Sequence, residues 1–230
     1  MTTPCKAVLS CKTYRAVIDI GVRVIVDTCN HVGRDADMSI FSSDDAEARV
    51  FTSSVVLLEN YIHKTVTVEC AGTQNNGVYN KELLVAVPLA CFLLALRTRD
   101  FHSPEHKFLI DLMNSLEVPE EFKFDSLLLE TTERKVHHFM HSEVDTSTAM
   151  DVLDTLSLPV DIPQKTVLGV ISSIKAAYCH THLRSLGPHI IALGALHVNG
   201  VHAPTSSNVK CLKTFINVYR THLKNVTRYV

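Results

Sequence analysis

A carboxylate set into an apolar helix face is the most informative chemical feature of this sequence. Leu129, Val136 and Met140 recur at spacings of seven and four, the stripe of a helix predicted over about 125–141, and Glu133 falls in the middle of that stripe. Desolvating a carboxylate costs several kcal/mol unless a cation and hydrogen bonds meet it, so the sequence demands a partner for Glu133. Arg97, at the end of a strongly apolar segment with Leu93 and Ala90 one and two turns before it, is the nearest plausible cation. The alternative is an ordinary solvated charge on each of two helices. His137 and His141 share a helix face at i and i+4, and Cys179, His180 and His182 cluster, yet no second Cys or His pair has the spacing to complete a zinc site. No metal and no cofactor are expected. No GxSxG elbow, glycine-rich phosphate loop or HExxH is present, and Ser, His and Asp are too common to count by presence alone. The chain reads as a non-enzyme, without catalytic residues.

Apolar spacing near 3.6 residues runs through the chain, and sustained two-residue alternation is scarce, so the expected fold is all-α. A first helix over about 13–31 would bury Val17, Ile20, Val24 and Thr28. The acidic stretch GRDADMSIFSSDDAEA reads as a solvated loop that delivers Asp44 and Asp45 to the N-terminus of a second helix, over about 46–66, with Val55, Leu58, Tyr61 and Ile62 inward. A third helix, over about 81–99, is apolar on every side and must be surrounded by others, although Pro88 inside it should bend it. The fourth is expected to take Ser103 as N-cap and Pro104 in its first turn, burying Phe108, Leu109, Leu112, Met113 and Leu116. A short helix near 147–157 precedes SLPVDIP, whose prolines mark a boundary. Beyond it, helices are expected over about 165–180, 187–199 and 206–227, the last with Leu212, Ile216, Tyr219, Leu223 and Val226 along one face. No internal repeat is visible.

Composition limits the function. With 22 basic and 24 acidic residues the net charge is −2, and no Lys/Arg run makes an electrostatic footprint on nucleic acid. The longest apolar run, Leu83 to Leu96, is short of a membrane span, which needs about 18 or more residues. The N-terminus lacks a basic region followed by an apolar core, so the protein is expected to be intracellular rather than secreted. Seven cysteines without a CxxC pair read as small, reduced core or surface residues.

Five helices, a proline-marked connection and a shorter helical lobe resemble the cyclin family. LLENYIHK at 57–64 resembles the second cyclin-box helix; ACFLLALRTRDFHSPE at 90–105 resembles the family's LIASKYEEIYPPS stretch; and ETTERKVHHFMHSEVDTSTAMDVLDTL at 130–156 resembles the fifth-helix pattern that ends in FDL..PTP..FL. In these registers Arg97 falls on the family's kinase-facing Lys, Asp100 on its second Glu, Glu133 on its Glu and Thr148 on its Thr. The resemblance implies a cyclin-box domain at 13–157 after a tail at 1–12, and a reduced second cyclin-like helical lobe at 158–230, where GPHIIALGALHVNGV at 187–201 looks like the alanine-rich central helix of a second box. It also implies a regulatory subunit that binds and activates or directs a cyclin-dependent kinase as a heterodimer, in cell-cycle or meiotic recombination control. Its looseness is similar to that of cyclin-box proteins of meiotic crossing-over. The implied kinase-binding residues are Leu94, Arg97, Thr98, Asp100, Glu133, His137 and Val144; the implied location is nuclear, or nuclear and cytoplasmic. No direct nucleic acid, membrane or small-molecule ligand is expected.

Departures from the family pattern matter. YRAVI at 14–18 can be laid on the first-helix MRAIL motif, but Gly21 then stands where the substrate-docking patch has Trp, and His63 where an Asp should pair with Arg15. Thr98, His137 and Ser142 replace large apolar kinase contacts. A cyclin-fold scaffold that activates no kinase, and a transcription-factor-IIB-like DNA-binding module, are the rival readings. Reversing the charge, Glu133→Lys, is expected to abolish kinase association and leave a folded helical protein.

Overall fold

A computed structural model of the chain describes residues 11–34, 40–69, 82–115, 125–140, 147–156, 158, 161–201 and 209–223, and all regular secondary structure among them is helical. The helices are α1 (Cys11–Arg34), α2 (Asp44–Glu69), α3 (Val87–Thr98), α4 (His106–Ser115), α5 (Ser126–Met140), α6 (Ala149–Thr155), α7 (Gln164–Cys179), α8 (Thr181–Arg184), α9 (Pro188–Val198) and α10 (Val209–Val218). No helix among the described residues is long and apolar enough to cross a membrane. The chain forms two compact units. The first takes the described residues of 1–40 and 54–146, and the second those of 41–53 and 147–230. The sequence-based division lay at 157, whereas the units part at 146/147 and the start of α2 joins the second.

In the first unit α3 is the hub: every residue from Val87 to Leu96 is buried, and the helix packs on α1 and α5. Pro88 lies inside a continuous helical run, 82–98, whose hydrogen-bonding pattern changes just before it. It stands at the N-terminus of α3, and a single π-helical turn, Glu82–Ala86, leads into it. A proline cannot donate to a preceding carbonyl, and the π-helical turn just before it is where the helix adjusts to that missing bond. That turn is tied to α5 by Lys135 Nζ, 2.6 Å from Glu82 Oε1. On α2, Ser43 Oγ accepts from Ala46 N–H, and Asp44, Asp45 and Glu47 occupy the first turn, where carboxylates oppose the positive end of the helix dipole.

The face of α1 differs from the expected one. Val17 and Thr28 are buried as expected, but Ile20 is 38 % exposed and Val24 only half-buried, and the apolar stripe is Val17, Ile18, Val22, Ile25, Cys29 and Val32. Gly21 lies within it, where an added Cβ would stand 2.7 Å from Leu58 Cδ2 and 3.1 Å from Pro88 Cγ. The absence of a side chain at Gly21 lets α1 approach α2 and α3 closely, so this position serves packing. Tyr61 and Phe139 meet edge to face, with ring centroids 5.5 Å apart, which joins α2 to α5. Burial pushes the Cys91 thiol well above its ordinary pKa, so it remains a protonated core group.

In the second unit α9 is the hub, packed on α6, α7 and α10. It shares local features with α3, the hub of the first unit. Pro88 and Pro188 open the two helices, and Ala95, Leu96 match Ala195, Leu196. Both helices end in the same Schellman turn: Phe101 N–H donates to Leu96 O and Val201 N–H to Leu196 O, each at 2.9 Å, while Asp100 and Gly200 donate to Arg97 O and His197 O. Asp100 and Gly200 take the left-handed conformation this turn needs, at φ 58° and 75°.

A polar network fixes the far end of α9. Asn199 Nδ2 donates to Ser173 Oγ at 2.9 Å and to Ala195 O at 2.8 Å, and Ser173 Oγ also meets Tyr219 Oη at 2.9 Å. Ser173→Ala leaves the buried tyrosine hydroxyl without this partner, and chemical denaturation should show a loss of about 1–3 kcal/mol. On α6, Thr148 and Asp151 form a capping box, and Tyr178 Oη accepts from Ala149 N–H at 3.0 Å. Arg49, on the part of α2 that belongs to this unit, reaches both oxygens of Asp154 and also Asp45; these hydrogen bonds push its pKa further above the ordinary value.

The last helix is shorter than expected. α10 ends at Val218, and the backbone continues as a π-helical turn, Tyr219–Leu223. Phe215, absent from the expected stripe, is its fully buried residue and stacks on Tyr219, whereas Leu212 and Ile216 are half-buried. The side chains of Leu223 and Val226 lie outside the described residues, as does that of Met140 on α5 and all of Leu116.

Candidate functional site

Three helices of the first unit converge on Glu133. The residue sits at mid-length of α5, on the face that also buries Leu129, Thr132 and Val136, and its side chain is 7 % exposed. The fully buried body of α3 fixes the last turn of that helix, from which Arg97 reaches Glu133 Oε1 as an ion pair. Arg97 is 53 % exposed, so its charge is largely solvated while the carboxylate it meets is not. The partner expected for Glu133 is therefore present.

The carboxylate has a second oxygen, and a second group meets it. His106 Nε2 lies 2.8 Å from Glu133 Oε2, with the histidine side chain 26 % exposed. Sequence reading missed this residue, because nothing in the local pattern at 103–107 marks it. The available signal was stoichiometric: a buried carboxylate has two oxygens to satisfy, and one arginine had been assigned. The helix start explains its placement. Ser103 is not the cap of α4, which begins at His106; Pro104 is buried just before it, so His106 enters as the first helical residue.

These groups line an open recess of about 280 Å³, formed by Arg97, His106, Glu130, Glu133, Arg134 and His137. Arg134 pairs with Glu130 one turn away on α5. Of the residues singled out by resemblance, Arg97, Glu133 and His137 thus come together. Thr98 is exposed and its hydroxyl donates to Ala95 O; Asp100 is exposed and forms the left-handed turn that closes α3; neither lines the recess. Leu94 is 5 % exposed and belongs to the core under Arg97. Val144, Ser142 and His141 lie outside the described residues.

No protein-family model matches the chain, and no curated protein matches it either. What the site can do must follow from its own side chains. It offers a half-exposed guanidinium held by a buried carboxylate, within a recess that mixes both signs of charge. Among the described residues no group of three or more His, Cys, Asp or Glu is placed to hold a metal ion. Such an arrangement is suited to fixing the orientation of a macromolecular partner: the half-exposed guanidinium presents N–H donors at the recess, and the buried carboxylate holds that charge beside it.

Proposed function

We propose that this chain is a cyclin-like regulatory subunit, acting in cell-cycle or meiotic recombination control, which binds a cyclin-dependent kinase through the face carrying Arg97 and Glu133. The observation that carries the reading is the Arg97–Glu133 ion pair. The burial argument required it, and the likeness of 90–105 and 130–156 to cyclin motifs places the same two residues at the kinase-facing positions. The all-helical fold, with a buried hub helix that ends in the same kind of turn in each unit, fits a protein with a full cyclin box and a reduced second one. In this role the chain performs no chemistry. It holds the regulatory helix of the kinase in the inward orientation that completes the Lys–Glu and Mg²⁺ geometry of phosphoryl transfer.

The test is capture of purified cyclin-dependent kinases by the full chain, followed by a phosphoryl-transfer assay on any complex that forms. At least one kinase should bind, and Arg97→Ala should weaken that binding by roughly tenfold or more, because it removes a charged group from a directional contact. Kinase capture without activation would make the chain a scaffold rather than an activator. Absence of binding across the panel would remove the kinase reading.

A further inference from the structure

The two contacts to Glu133 are not equivalent. Arg97 meets Oε1 as an ion pair, but Oε1 lacks a hydrogen bond of proper alignment. The hydrogen bond of ordinary length and direction to this carboxylate comes from His106, at 2.8 Å to Oε2. A carboxylate turns about its last side-chain torsion with little resistance, since that torsion is broad, and an ion pair alone is tolerant of direction. An aligned hydrogen bond is not. Arg97 is half-exposed on a flexible stem, whereas His106 is held at the first position of α4, just after the buried Pro104 and the close of α3 at Phe101.

We propose that His106 is the positioning residue of the partner-binding anchor: it donates from Nε2 to Glu133 Oε2, fixes the rotation of the carboxylate, and so holds Arg97 over the recess in the orientation that a partner meets. The inference rests on the kinase reading for the identity of the partner and on the geometry alone for the role of His106. The donating nitrogen is Nε2, so the neutral ring serves as its Nε2–H tautomer and the charged ring serves equally. A side chain that carries an N–H to the same place should replace it. Glutamine does so from its terminal amide, asparagine is too short, and leucine fills the space without a donor.

The test compares the full chain with His106→Gln and His106→Leu, and with His106→Asn as a polar loss variant should the leucine protein fail to fold. Two signals are read: the carbon-13 resonance of the Glu133 side-chain carboxylate, and capture of whichever cyclin-dependent kinase the unaltered chain binds. His106→Leu and His106→Asn should move the carboxylate resonance and weaken capture by about tenfold, and His106→Gln should restore both. A merely structural role would lower thermal stability in the loss variants and leave the resonance of the folded protein in place; that result overturns the proposal, as does failure of a folded glutamine variant to restore either signal. Should the unaltered chain capture no kinase, the kinase reading falls, and the carboxylate resonance alone then decides the role of His106.

Discussion

Glu133→Lys should destabilise the first unit by about 3–5 kcal/mol, read as a drop of more than about 10 °C in the thermal midpoint, and kinase capture should disappear with it. The reversed side chain would sit at a position that is 5 % exposed, with Arg97 on one side and His106 on the other. Three groups able to carry positive charge would then converge where a carboxylate now neutralises the arginine. The sequence alone suggested that reversal would spare the fold; burial beside Arg97, with the His106 N–H facing a group that cannot accept, changes that expectation. Glu133→Gln separates the two effects. It keeps the size of the side chain and an acceptor for His106 while removing the charge, so the protein should stay close to its original midpoint and lose much of its kinase capture. A lysine variant with an unchanged midpoint would show that the carboxylate is not enclosed by Arg97 and His106.

The second large effect belongs to the second unit. Gly194→Ala, in the middle of α9, would ordinarily stabilise a helix by about 1 kcal/mol, because alanine is the better helix former. Here the added Cβ would fall 2.3–2.7 Å from three ring carbons of Phe215. The ring is fully buried and stacked on Tyr219, so it cannot swing aside as a flexible chain end could, and α10 itself must shift. Overpacking should reverse the sign and cost about 1–3 kcal/mol in chemical denaturation. Phe215→Leu frees space at the same contact, so the double variant should be more stable than the two single losses added together suggest. Simple additivity would mean that the helices do not meet at this pair.

Much of the first unit was legible because its signals are local. The inward positions Val55, Leu58, Tyr61 and Ile62 of α2 repeat at helical spacing, and α3 is apolar all round, which leaves it no place except the interior. In the second unit, Asp44 and Asp45 also announced the start of α2. The misreadings concern what one helix does to another. Ile20 belongs by type to an apolar stripe, yet the stripe of α1 turns away from it, because the axis of closest approach is set by Gly21 against Leu58 and Pro88. Phe215 went unremarked because only the gap at Gly194 makes it a core residue.

The sequence by itself determined the helical class and the unusual fact of a carboxylate in an apolar face, since both depend on the order of residue types along the chain. It also showed that Glu133, once buried on that face, would need a cation, because dehydrating a carboxylate is costly; that it is buried was decided by the packing of its helix. Only the tertiary structure decided which groups answer. Arg97 and His106 come from separate helices, and their meeting at the two oxygens of one side chain depends on where α3 ends and α4 begins in space.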